Sequence, residues 1–117
     1  MPATDMERAI RFYEAVFGYE LSRHKMGPLD MAWFPFKEDG IGAPGSLVHH
    51  AEAYKPSMDG TLIYFTSPSG DLSNELERVE PSGGEVLLPK NMISADYGFM
   101  ALIRDTEGNR VALHSRK

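Results

Sequence analysis

The sequence is organised around its final predicted strand and the turn before it, DTEGNRVALHS at residues 105–115. Residues 105–109 are polar and include Gly108, which can adopt a positive φ, so a turn is predicted there. Apolar and polar residues then alternate, which is typical of a half-buried strand. The alternation divides this strand into two faces, with Val111 and Leu113 on one and Arg110, Ala112 and His114 on the other.

The composition excludes several classes of function. The chain has 117 residues, a length that fits one domain with one core. Its formal net charge is -5, with 12 basic and 17 acidic residues and no basic cluster, so no nucleic-acid partner is expected. The absence of cysteine excludes disulfides and thiolate metal sites. No apolar run approaches the roughly 20 residues that span a bilayer, so we expect a cytoplasmic protein without a membrane partner.

Residues 1–58 are predicted to form a helix followed by three strands. Thr4 with Glu7 matches a capping box at the start of the helix, and Gly18 ends it. The strands are predicted at residues 19–25, 31–36 and 46–50. Proline and polar residues make residues 51–59 a predicted linker.

Residues 59–117 repeat this order after one additional strand. The predicted elements are a strand at 61–66, a helix at 71–80 and strands at 85–89, 98–104 and 110–115. The acidic residues placed on the exposed side of this helix are Glu75, Glu77 and Glu80. Such a unit covers its sheet only by pairing with a second copy. The sequence therefore predicts a single α+β domain, residues 1–117, in which paired βαβββ modules form a curved mixed sheet around a cleft, with the first strand missing or truncated.

Several segments carry a family resemblance, in the same order along the chain: residues 3–18, 60–65, 86–90, 97–101 and 105–115. They resemble the glyoxalase/bleomycin-resistance/extradiol-dioxygenase superfamily, the vicinal oxygen chelate proteins. Within it they are similar to the branch of predicted lactoylglutathione-lyase-related proteins. The resemblance implies a strand directly before residue 2, where this sequence has only Met1.

The resemblance also implies four metal-ligand positions, one on each of four strands. One lies on the missing strand, and the others correspond to Val48, Leu62 and Ala112. These side chains have no donor atom for Zn²⁺, Ni²⁺ or Fe²⁺, so neither a metal nor a cofactor is expected. A metal site shifted two residues outward, to His50 and His114, is the alternative.

Candidate ligand-binding residues follow from the same alternation. The residues expected beside the inherited positions, on the cleft face, are Ser46, His50, Tyr64, Thr66, Arg110 and His114. Of these, His50, Tyr64, Arg110 and His114 are predicted to contact a ligand, with a surface position as the alternative for the two histidines.

Three further candidates flank or face this cleft. Trp33 is a possible ligand wall, although core packing or a subunit interface also fits its aromatic strand. Lys90 and Tyr97 flank a predicted loop at residues 91–95 that can cover the cleft. There Lys90 would meet an anion and Tyr97 would stack on a ring, while solvated surface is the alternative for both.

Three functions remain open from the sequence. We favour a metal-free module that binds a small aromatic or amphipathic molecule in the cleft. The first alternative is an isomerase or lyase acting on a small carbonyl compound with His50, His114 or Tyr64 as acid or base. The second is an accessory interaction domain. A homodimer is expected, because an incomplete sheet leaves apolar edges to cover.

Overall fold

The computed structural model describes all 117 residues and contains two helices and seven strands. In chain order these are α1 (Met6–Phe17), β1 (Ser22–Met26), β2 (Leu29–Trp33), β3 (Ser46–His49), β4 (Ile63–Thr66), α2 (Leu72–Val79), β5 (Glu85–Ser94), β6 (Gly98–Arg104) and β7 (Arg110–Ser115).

The strands form two sheets with the same internal arrangement. One sheet has the antiparallel order β1-β2-β3, and the other has the order β4-β7-β6-β5 with β4 parallel to β7. Residues 1–3 run parallel to β3: the N–H of Ala3 donates to the carbonyl of Val48, and the N–H of Val48 donates to the carbonyl of Met1, each at 2.8 Å. This short segment takes the place that β4 takes in the second sheet. The predicted α+β class with paired βαβββ modules is confirmed.

The core lies between the helices and the inner faces of both sheets. Its fully buried side chains include Phe12, Tyr13 and Val16 from α1, Leu47 from β3, Ile103 from β6, and Val111 and Leu113 from β7. Burying one such side chain contributes about 1.5–3 kcal/mol. Aromatic rings from the two halves also meet, because the centroids of Phe34 and Phe65 lie 5.1 Å apart. The opposite faces of the sheets are not covered by helices.

The start of α1 differs from the predicted capping box. Asp5, not Thr4, is the N-cap, and its side chain accepts a hydrogen bond from the N–H of Arg8 at 3.1 Å. Glu7 pairs with Arg23 instead of returning to the cap. Glu107, from the turn before β7, accepts hydrogen bonds from the N–H groups of Thr4 and Asp5 at 2.9 and 2.7 Å. A distant carboxylate therefore satisfies the helix start that a local one was expected to satisfy.

The predicted loop at residues 91–95 is mostly strand. β5 continues past Pro89 to Ser94, and Asn91 and Met92 lie opposite Met100 and Phe99 of β6. Shifts in the register of this pairing accommodate the proline on an edge strand. The connection to β6 is therefore a short turn and does not cover the sheet.

Glu75 does not lie on an exposed face of α2. It is fully buried, and its carboxylate accepts hydrogen bonds from the hydroxyl groups of Ser67 at 2.6 Å and Ser69 at 3.1 Å. The expectation was wrong because residue spacing shows which side of a helix a residue lies on but not the serines that approach it. Glu77 and Glu80 are exposed as predicted.

Candidate functional site

The turn before β7 joins the two halves of the molecule. The carboxylate of Asp105, which is 3% exposed, accepts hydrogen bonds from the N–H groups of Glu107 and Asn109, each at 2.9 Å. It also accepts one from the hydroxyl of Tyr13 on α1 at 2.7 Å. Gly108 closes the turn with φ of 95°. This motif thus holds helix α1 as well as forming a turn.

Two other side chains of this turn bind the beginning of the chain. Asn109 donates from Nδ2 to the carbonyl of Pro2 at 2.8 Å. Glu107 pairs with Arg8 at 2.7 Å. Burial opposes ionisation of Glu107, but hydrogen bonds from Arg8 and the N–H of Asp5 outweigh it and hold the pKa of this carboxyl below its usual range. Burial and the charge of Asp105 raise the pKa of Tyr13 well above that of a free tyrosine.

The positions that would hold a metal in metal-dependent relatives carry no ligands. Val48 lies opposite Pro2 and is half-buried, and Ala112 lies opposite Tyr64 and is fully buried. Leu62 directly precedes β4. None of these side chains has a lone pair to offer, and no group of three or more His, Cys, Asp or Glu residues could hold a metal ion. The residues present therefore do not fit the inherited metal.

An apolar groove of about 330 Å³ lies where the two modules meet. It is lined by Met1, Tyr19, Phe34, Pro35, Gly45, Ser46, Ile63, Tyr64 and Phe65. Phe34 and Phe65 belong to the aromatic core, whereas Tyr64 is 53% exposed and forms an accessible wall. The groove runs along the edge of β4 that has no neighbouring strand, since β4 pairs only with β7.

A second groove of similar volume, about 330 Å³, adjoins the first. It is lined by Met1, Pro2, Lys55, Ser57, Gly60, Thr61, Ile63, Asn109 and Arg110, and it is called the cationic groove below. Met1 and Ile63 line both grooves and form their common wall. No acidic residue lines the cationic groove, and neither Lys55 nor Arg110 forms an ion pair.

The structure brings together only part of the predicted ligand-binding set. Tyr64 lines the apolar groove and Arg110 the cationic groove. His50 lies elsewhere, because β3 ends at His49 and the Nδ1 atom of His50 accepts hydrogen bonds from the N–H groups of Glu52 and Ala53 at 3.2 and 3.1 Å. It therefore caps the turn after β3.

The remaining predicted residues lie outside both grooves. Trp33 stacks on His24 with ring centroids 3.8 Å apart. His114 is within 2.6 Å of the carbonyl of Tyr97, measured from Nε2, and Tyr97 is 65% exposed. These contacts are structural, and none of the three predicted residues lines either groove.

Lys90 lies on the helical side of its sheet. Its Nζ is 2.9 Å from Asp71, the N-cap of α2, and 4.5 Å from the centroid of the Phe99 ring. Hydrogen bonds from Lys90 and from the N–H of Ser73 lower the pKa of Asp71 to about 2. The charge of Lys90 thus supports the start of a helix.

Sequence reasoning missed the linker side of the cationic groove. Lys55 and Ser57 lie in the segment interpreted as an exposed linker, and Thr61 precedes β4. The N–H of Ser57 donates to Oδ1 of Asn109 at 3.3 Å, which draws this segment to the final turn. No periodic pattern encodes that contact, and only the Asn109 of the turn motif could have suggested it.

Each module has a parallel strand pair beside the other module, and the two grooves lie where the modules meet. This arrangement is typical of paired-module α+β proteins built around a cleft. Residues 1–113 match the sequence model of the Glyoxalase/Bleomycin resistance protein/Dioxygenase superfamily. The chain belongs to this superfamily.

The similar proteins agree with this assignment. A glyoxylase-like domain-containing protein of Didymella fabae is 27% identical over 99% of this chain and 89% of that protein. The structure of a glyoxylase/bleomycin resistance protein/dioxygenase domain from Frankia sp. EAN1pec superposes with a TM-score of 0.74 at 16% identity, covering 99% of this chain and 92% of that one.

Glyoxalase I from Zea mays has the same fold in part of its length. Its TM-score is 0.72 at 17% identity, with 99% of this chain and 44% of the maize chain covered. This chain therefore spans less than half of the maize enzyme. At this identity the likeness shows the fold alone. Neither helix of the present protein has the length and apolar character needed to cross a membrane.

Proposed function

We propose that this protein binds a small aromatic or amphipathic molecule, without a metal, in the apolar groove between its modules. The observation that carries the proposal is the wall of that groove, where Phe34 and Ile63 meet the accessible ring of Tyr64. We propose that residues 1–117 form one domain made of two modules, residues 1–58 and 59–117. Catalysis is not required for this function.

The size and lining of the groove support a ligand of modest size. A volume of about 330 Å³ is at the small end of the range for ligand sites, which suits one or two rings. If such a ligand buried about 150 Å² of apolar surface, the gain would be roughly 4 kcal/mol before the cost of association. The hydroxyl of Tyr64 has no partner within the chain and is available to orient a polar group.

We favour binding over the isomerase or lyase alternative because of the contacts that the two candidate histidines make. A general base is normally oriented by a third group, often a carboxylate. His50 contacts backbone N–H groups and the ring of Tyr54, His114 contacts a backbone carbonyl, and no carboxylate orients either ring. The accessory-domain alternative predicts that neither groove binds any molecule.

The binding test uses the neutral fluorophore N-phenylnaphthylamine, whose emission rises in apolar surroundings. The protein carries its tag at the C-terminus, so that the groove beside Met1 is unaltered. Tyr64→Ala should weaken binding about tenfold, the effect of losing one ring contact and an oriented hydroxyl. Tyr54→Ala is the control, because Tyr54 is 46% exposed and lines neither groove. Equal effects of the two substitutions, or no saturable binding, would remove the proposal.

Metal independence is tested on the same protein. Elemental analysis after purification without chelator should show no stoichiometric Zn, Ni or Fe, and dialysis against EDTA should leave the affinity for N-phenylnaphthylamine unchanged. A stoichiometric metal whose removal abolishes binding, and whose return restores it, would contradict the metal-free part of the proposal.

We also propose a homodimer, with β5 at the contact. β5 is the edge strand of its sheet, so its outer backbone groups have no partner. Exposed apolar side chains on this strand include Leu87, Leu88, Met92 and Ile93, at 37%, 36%, 57% and 48%. An exposed apolar edge of this length is commonly covered by a second chain.

A further inference from the structure

We infer that the cationic groove takes the anionic end of an organic acid whose apolar body lies in the adjoining apolar groove. This inference rests on the proposed ligand binding, and it adds the chemical class of the ligand. The sequence indicated Arg110 as one polar contact, but neither the second cation nor the division of the site into two compartments.

The first support is the local charge, which is opposite to that of the molecule. The whole chain carries 17 acidic and 12 basic residues, yet the cationic groove has two basic residues and no acidic one. Five basic side chains are neutralised in ion pairs: Arg8, Arg23, Arg78, Lys90 and Arg104. Lys55 and Arg110 are not among them. Their charge therefore remains available to a ligand.

Arg110 lies opposite an arginine that is already paired. Arg104 lies directly opposite Arg110, and its guanidinium pairs with Glu85 of β5 at 2.6 Å. The carboxylate of Glu85 is thus occupied by Arg104. A guanidinium without a carboxylate partner presents a planar set of donors that matches the two oxygens of a carboxylate or the oxygens of a sulfonate.

Uncharged donors surround the two cations. The N–H groups of Gly60 and Thr61 form no hydrogen bond within the chain. The hydroxyl oxygen of Ser57 accepts from the N–H of Asp59 at 3.0 Å, so its own proton can be donated to a ligand. Asn109 is already fully used, because its amide binds Pro2, Asp105 and Ser57. Asn109 therefore shapes the groove, and the other groups are the ones available to contact the ligand.

The common wall makes one molecule able to occupy both grooves. Met1 and Ile63 line each groove, and Ile63 is 38% exposed. An acid whose ring or chain contacts Ile63 and Tyr64 can therefore direct its charged group past Ile63 toward Arg110. A neutral molecule gains only the apolar part of this site.

The experiment compares two probes with the same aromatic body. Anilinonaphthalene sulfonate is N-phenylnaphthylamine with one added sulfonate group, and both are fluorescent. Arg110→Gln should weaken binding of the sulfonate about tenfold, as expected for one lost charge-assisted contact, and should change binding of the neutral probe less than twofold. Lys55→Gln should act in the same direction, and added salt should reduce the affinity of the sulfonate only.

Arg11→Gln is the control, because it removes the same charge from an exposed position on α1 outside both grooves. It should leave both probes unaffected. If Arg110→Gln and Arg11→Gln weaken the sulfonate equally, the effect is one of net charge and the inference is wrong. If Arg110→Gln weakens both probes equally, the groove has no preference for anions and the inference is again wrong.

The two proposals fail in different ways. Absence of saturable binding of either probe to the wild-type protein removes the proposed function and this inference with it. If binding of the neutral probe depends on Tyr64 but binding of the sulfonate is unaffected by substitution of Lys55 and Arg110, the proposed function stands. This inference alone is then wrong. Thermal unfolding of each variant, monitored by circular dichroism, confirms that these exposed substitutions leave the fold intact.

Discussion

The hydroxyl of Tyr13 donates a hydrogen bond of 2.7 Å to the carboxylate of Asp105, and both residues are buried. The bond links helix α1 of the first module to the turn before β7 of the second. Asp105 also organises that turn through the N–H groups of Glu107 and Asn109. One carboxylate therefore sets the shape of the turn and the position of the helix.

Tyr13→Phe should lower the free energy of unfolding by about 1.5–3 kcal/mol, because it removes a buried hydrogen bond to a charged group. Urea unfolding followed by circular dichroism measures this. Tyr19→Phe is the matched control: Tyr19 is half-buried, its hydroxyl has no partner, and the change should stay within about 0.5 kcal/mol. Equal losses in the two variants would show that the Tyr13–Asp105 bond contributes nothing specific.

Glu107→Gln should destabilise the protein at neutral pH by about 2 kcal/mol, since the carboxylate accepts hydrogen bonds from Arg8, Thr4 and Asp5. The pKa of Glu107 is lowered in the folded state, so its stabilisation is fully present above the ordinary value of 4.5 and is lost as the pH falls through the folded pKa. The difference between wild type and variant should therefore shrink below about pH 4.5. Glu77→Gln, on the exposed side of α2, should show neither effect. A difference that stays constant down to acid pH would contradict this account.

Gly84→Ala should destabilise the fold by about 1–3 kcal/mol through overpacking. A Cβ atom there would lie 2.6 Å from the ring of Phe12 and 2.8 Å from the carbonyl of Arg104, so the helix and the sheet would have to separate. Gly60→Ala is the control, because a Cβ at that position meets nothing within 4 Å. Thermal unfolding compares the two. The close approach of α1 to this sheet would be disproved by equal midpoints.

Ile93→Lys should shift the proposed dimer toward monomer, because it places a charge on the exposed apolar edge of β5. Sedimentation velocity across micromolar concentrations gives the mass of the species. Ile41→Lys adds the same charge at a fully exposed loop residue and should leave the mass unchanged. A wild-type protein that is monomeric throughout would remove the dimer itself.

The fold was predictable because its main determinants are local. The apolar spacing of α1, the glycine at position 18 and the alternation in β7 each specify an element without reference to distant residues. The repeated order then specified the pairing of the modules. Strand ends were less predictable: β5 passes through Pro89 because register shifts on an edge strand tolerate it.

Of the proposed site, the sequence indicated only the strand residues that line a groove, Tyr64 and Arg110. His50 escaped the alternation because its strand ends one residue earlier. Lys90 pairs with Asp71, the N-cap of α2. The helix was predicted from the sequence, but its position relative to Lys90 was not. Lys55 enters the site because Asn109 binds Ser57, a contact between residues 52 positions apart.

The turn at residues 105–109 also determines when the first module can become complete during synthesis. The carbonyl of Pro2 is hydrogen-bonded by Asn109, 107 positions later, and the start of α1 is hydrogen-bonded by Glu107. Until the ribosome has released these residues, the hydroxyl of Tyr13 lacks the carboxylate of Asp105 and the start of α1 lacks Glu107. Contacts of such long sequence separation slow folding and prolong exposure of apolar surface. The nascent chain should therefore reach its full stability only after the turn at residues 105–109 has emerged.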